Sequence, residues 1–138
     1  MAVRISPEQR LVGHGQNAAM ERAVAVSAPL TGSTRLYSSI VTTAPGGSTR
    51  IHHHGPCETS IYISSGRAHY TWGPTGLEQA MDAAAGDFVY IPAGEIHVEA
   101  NASDEEPLVV IISRDCPDSL VVYMDDGPDG SGDVPAPC

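Results

Sequence analysis

From about residue 36 to residue 123, apolar and polar positions alternate in short runs separated by turn residues. Leu36-Tyr-Ser-Ser-Ile-Val-Thr-Thr43 is β-branched and partly alternating, and Ala44-Pro-Gly-Gly47 breaks it. The run over 59–64 predicts a second strand, closed by Ser65-Gly66, with 67–72 as its hairpin partner. Further strands are predicted over 87–91 and from His97 onward, between them the turn Pro92-Ala-Gly94. The runs over 108–113 and 120–123 supply a last pair. Many short strands at this spacing predict an all-β fold, an antiparallel sandwich or barrel. Helical signal is thin: a turn over 7–11, and a short helix or N-terminal arm over 16–24. The predicted organisation is an arm with a strand over 1–35, a barrel over 36–124, and a disordered Gly/Pro/Asp-rich tail over 125–138.

Composition narrows the function classes. A chain of 138 residues, 41% of them apolar, is one domain large enough to bury a core without staples. A formal net charge of −10 excludes the basic footprint of a nucleic-acid binder. No run approaches the ~20 apolar residues of a membrane helix, and MAVRISPEQR lacks a signal-peptide core, so a cytoplasmic protein without membrane contact is predicted. All seven basic residues are arginine, which rules out lysine Schiff-base and P-loop chemistry. The lack of lysine beside 14 glycines and 11 prolines points to a GC-rich genome. Cys57, Cys116 and Cys138 form no CxxC pair, and reduced thiols are expected of them.

The chemistry concentrates in Gly46-Gly-Ser-Thr-Arg-Ile-His52-His53-His54-Gly-Pro-Cys-Glu58. His52 and His54, two apart on a strand, project to one face and can share a metal ion if another element closes the site. A purification tag would sit at a terminus, whereas this triplet lies between two strand signals. Downstream, Gly86, Pro92, Gly94, His97 and Asn101 match G-x5-P-x-G-x2-H-x3-N without a gap, and Gly46, His52, His54 and Gly66 match G-x5-H-x-H ending on a turn glycine. In these two ordered motifs the sequence resembles the cupin superfamily over most of its length. The resemblance implies an antiparallel double-stranded β-helix, the jelly-roll barrel, in which His52, His54 and His97 converge on one divalent metal ion.

The family's glutamate ligand is the point of departure. Its spacing falls on Thr59, and regular alternation turns the neighbouring Glu58 the other way unless a β-bulge re-aims it. A cupin subgroup with H-x-H-G-x-x-E-T-x-I-Y carries glutamate at the place of Glu58, so Glu58 is expected as fourth ligand. Without a bulge that position belongs to water, His53 or His69.

Three imidazoles suit zinc, iron(II), manganese, nickel or copper, and open coordination positions suit catalysis more than a closed structural site. Glu99 shares the phase of His97 and is a candidate acid or base, Arg50 a candidate for an anionic substrate, and Asn101 a loop tie. The expected function is a metal-dependent cupin enzyme acting on a small organic molecule. Within it a polyketide cyclase with a Lewis-acid metal is the specific expectation, an iron(II) dioxygenase and a non-catalytic binding module the alternatives. A homodimer is expected, with the strand-like Ala23-Val-Ala-Val-Ser pairing to a neighbour's sheet edge.

Overall fold

The computed structural model describes residues 1–124, so the tail predicted to be disordered, and Cys138 with it, lies outside the described residues. Among the described residues, eleven strands form two antiparallel sheets. The first holds β1 (Leu11–His14), β2 (Met20–Val26), β3 (Tyr37–Thr43), β10 (Leu108–Arg114), β5 (Thr59–Ser65) and β8 (Phe88–Ile91), in that spatial order. The second runs β11 (Val122–Tyr123), β4 (His52–His53), β9 (His97–Asn101), β6 (Arg67–Trp72), β7 (Gln79–Ala84). A one-turn helix, α1 (Ala28–Thr31), is capped by the Ser27 hydroxyl accepting from the Leu30 amide.

Period-two burial explains the pairing. In β10, Leu108, Val110, Ile112 and Arg114 point inward while Ile111 and Ser113 face out. The register brings Val110 against Val41 and Ile63, and Ile112 against Ile61. These residues, with Ala68, Tyr70, Val89 and Ile91, form the apolar core between the sheets. Where the same inward phase reaches Arg114, Thr59, His97 and Glu99, the core turns polar.

Four expectations change. The strand over 67–72 is not the hairpin partner of β5: β6 belongs to the opposite sheet and pairs with β7 and β9. The single residue between β5 and β6 is Gly66, at φ 89°, and a Cβ there would stand 2.5 Å from the Pro107 carbonyl oxygen. That leaves room for a crossing between sheets and none for a hairpin loop. Residues 20–24 of the segment over 16–24 belong to β2 rather than to a helix, because Met20 and Arg22 alternate inward with Val24 across β3. Residues 120–123 do not pair with β10; β11 lies beside β4. Finally, Ala23 and Val24 of β2 are paired on both sides, with β1 and β3 of their own sheet, so that part of the segment offers no free edge to a second copy.

Candidate metal centre

β4 lies between β9 and β11, with His52 directly opposite His97 on one side and Tyr123 on the other. His54 follows β4 and re-enters the core before Gly55 turns the chain away at φ 58°. The three rings are buried, with centroids 4.2 Å (His52–His97), 4.7 Å (His52–His54) and 5.3 Å (His54–His97) apart. One nitrogen from each lies within 4.8 Å of the others.

Backbone carbonyls set the tautomers. The Nδ1 atoms of His52, His54 and His97 lie 2.7, 2.7 and 2.8 Å from the carbonyl oxygens of Arg50, Leu120 and Glu95. A carbonyl only accepts, so each Nδ1 carries the proton and each Nε2 keeps its lone pair. Burial, reinforced by neighbouring positive charge, holds His52 and His54 well below the ordinary imidazole pKa, and burial brings His97 down to about 4. Three neutral imidazoles with unprotonated Nε2 atoms fit a divalent metal.

Glu58 is not among them. It stands exposed on the outer face, where its Oε1 accepts from the Tyr90 hydroxyl at 2.6 Å and its amide donates to Asp115. β5 pairs with β8 in unbroken register from Thr59 onward, with no bulge to re-aim Glu58, so the buried inward position falls to Thr59. The alternative donors are also elsewhere. His53 Nδ1 accepts from the Gly55 amide, and His69 pairs with Asp82 on the surface.

Glu99 does line the cavity. It is buried, accepts from the Tyr70 hydroxyl at 2.5 Å, and has a pKa raised by desolvation, against the opposing effects of that bond and of Arg114. Arg50 does not. Its guanidinium stacks over the Tyr123 ring, 3.8 Å from the centroid, and what Arg50 gives the site is the carbonyl that orients His52. Asn101 ties the loop as expected: its amide donates to the carbonyls of Thr43, Ala44 and Glu106.

Two buried cations escaped the sequence reading. Arg22 and Arg114 both line the cavity, Arg22 donating to Ser119 and Arg114 to Thr59 Oγ1 and to His54 Nε2. Burial lowers Arg114 to about 10, which leaves it charged at neutral pH. The signal was present: each arginine sits at the inward phase of an apolar strand. The space among these groups is about 20 Å³, room for about one water. A larger depression of about 240 Å³ lies outside β6 and β7, lined largely by alanine, and brings no set of ligands together.

Cys57 and Cys116 form a disulfide, Cα atoms 5.8 Å apart, which corrects the expectation of reduced thiols at these two positions. The two cysteines are 59 residues apart in sequence, and no spacing motif marks them as partners. The bridge joins the turn after His54 to the chain just beyond Arg114.

Residues 39–114 match the family model of the Cupin domain. Among solved structures, a Lactobacillus farciminis oxalate decarboxylase in a formate complex aligns at TM-score 0.73 with 20% identity, over 85% of this chain and 34% of that one. A Bacillus subtilis oxalate decarboxylase studied for its Mn(II) centres aligns at 0.71 with 24% identity, over 83% and 30%. A variant of the Bacillus subtilis enzyme aligns at 0.70 with 25% identity, over 80% and 29%. The chain thus spans about a third of the length of these proteins. No curated protein matches its sequence.

Proposed function

This chain belongs to the cupin family, and from that premise we propose that it is a metal-dependent enzyme acting on a small organic molecule. His52, His54 and His97 are its metal ligands. The observation that carries this reading is the set of three buried imidazoles, each with Nδ1 bound to a backbone carbonyl and Nε2 directed at the other two. A divalent ion held there supplies Lewis acidity toward a carbonyl or carboxylate oxygen. The all-nitrogen donor set takes zinc or iron(II), and manganese, nickel and copper are compatible with it.

The protein's own contribution is orientation, water exclusion and proton handling. The cavity walls are buried and close to one water in volume, so a substrate displaces solvent as it enters. Glu99 is the acid or base. It faces the same space as the ligand edges, and the Tyr70 hydroxyl fixes its carboxyl in place. Arg50, stacked on Tyr123, has no part in that chemistry.

Nothing in the arrangement of the site singles out a poly-β-ketone chain, so of the cyclase expectation we retain the Lewis-acid role and not the polyketide. Iron(II) dioxygenase chemistry is the second reading, favoured by the convergence of three protein ligands among the described residues, which would leave positions for oxygen and substrate. Product formation in zinc- and iron-loaded protein, with and without oxygen, separates the two. Activity of the zinc form under nitrogen is the expected result, and activity confined to aerobic iron protein would leave the dioxygenase.

We also propose a homodimer formed through the outer face of the larger sheet. Ile40, Ile111, Tyr62 and Phe88 stand in one register row across four strands there, with Phe88 73% exposed. As to location, among the described residues no helix is long and apolar enough to cross a membrane. The observation against the cytoplasm predicted from the sequence is the Cys57–Cys116 bridge, since such bridges are rare in reducing compartments.

A further inference from the structure

Arg114 is the buried group that the metal reading leaves unexplained. Only 4% of it is exposed, and its guanidinium lines the same cavity as the three histidines. Nε donates to Thr59 Oγ1 at 3.1 Å and Nη2 donates to His54 Nε2 at 3.2 Å, while Nη1 has no hydrogen-bond partner. A buried guanidinium is normally paired along its whole donor edge. This one is short of an acceptor already, and a metal ion on His54 Nε2 removes a second, because that lone pair cannot serve both.

Charge points the same way. Arg114 is buried at the cavity, and Glu99 is the one carboxyl among the described residues that line it. A divalent ion among them adds two more positive charges in a space that water scarcely enters. The missing negative charge also has a known place. The family's motif spacing puts its glutamate at Thr59, and here Thr59 is the residue that Arg114 Nε holds.

We propose that the substrate is a small carboxylate and that it supplies the carboxylate the protein lacks. One oxygen lies toward the metal, and the Nη edge of Arg114 receives the carboxylate. The proposal rests on the metal reading above and narrows it to a substrate class. Carboxylate is favoured over phosphate because a planar anion matches the planar guanidinium edge.

The test is titration calorimetry on the zinc-loaded full chain with acetate, its neutral isostere acetamide, and inorganic phosphate. Acetate is expected to bind once per chain, with acetamide and phosphate at least tenfold weaker. Arg114→Gln should weaken acetate at least tenfold while elemental analysis finds zinc unchanged. Thr59→Glu, which returns a carboxylate to the family's position, should also retain zinc and lose acetate. Acetate affinity unchanged in either variant, or acetamide or phosphate binding as tightly as acetate, overturns the proposal. The comparison of acetate with acetamide on the unmodified chain stands even if a variant fails to fold. Absence of zinc from the unmodified chain is read before any acetate is added. It marks the failure of the metal reading itself, and the carboxylate proposal falls with it.

Discussion

At the scale of single residues, His97→Ala removes one of three converging imidazoles, and elemental analysis should find most of the bound metal gone. His14→Ala, on the exposed strand β1, should leave metal content unchanged. Glu58→Gln discriminates more finely. With its carboxylate turned outward to Tyr90, the variant should bind metal as the unmodified protein does, and a tenfold or larger loss would put Glu58 back among the ligands. Glu99→Gln keeps the shape and loses the titrating group, so turnover should fall by roughly 10²–10⁴ with metal content intact. The three converging histidines were legible in the sequence because their spacing within each motif is local. Glu58 was misplaced because a one-residue choice of phase is decided by where pairing with β8 begins, a contact with residues some thirty positions away.

At the scale of elements, the Cys57–Cys116 bridge clamps the turn after β4 to the end of β10. It thereby fixes the approach of His54 to Arg114. Closing a loop of 59 residues in the unfolded chain is worth roughly 4 kcal/mol on the chain-entropy account. Reduction should therefore lower the urea midpoint markedly and weaken metal binding, whereas reduction of a free-thiol protein would change neither. A thiol assay on the denatured, unreduced chain should count one free group among its three cysteines, and three would refute the bridge. Strand existence was readable from alternation: β3, β5, β6, β8 and β10 lie within a residue or two of their predicted spans, and β9 begins at His97 as predicted. Strand partnership was not. β5 and β6 are adjacent in sequence yet belong to opposite sheets, because Gly66 leaves space for a crossing and none for a loop. β7, with its Gln-Ala-Met-Asp-Ala-Ala sequence, carries almost no β-branched signal and is a strand because β6 offers it an edge.

At the scale of the whole molecule, the apolar row on the larger sheet predicts twice the 14.4 kDa chain mass by light scattering at micromolar concentration. Phe88→Asp should shift the population to monomer, and a monomeric unmodified chain would refute the interface. Acid stability follows from the buried imidazoles. In the metal-free protein His97 titrates near 4, against about 6.5 for an unperturbed histidine, so between these values the unfolded chain binds more protons than the folded one. Stability should then fall as pH drops from about 6.5 toward 4, by up to about 1.4 kcal/mol per pH unit for each such histidine, and denaturant melts across that window measure the slope. A flat profile would mean that the rings are solvated. The all-β class, the jelly-roll resemblance and the three histidines of the candidate metal centre were determined by the sequence alone, because alternation, turn glycines and motif spacing are properties of neighbouring residues. Only the tertiary structure decided that Arg22 and Arg114 face the histidines, that Thr59 stands where a glutamate was sought, and that Cys57 meets Cys116. Each of these depends on which strands become neighbours and in what register, and that is fixed by packing the two sheets face to face.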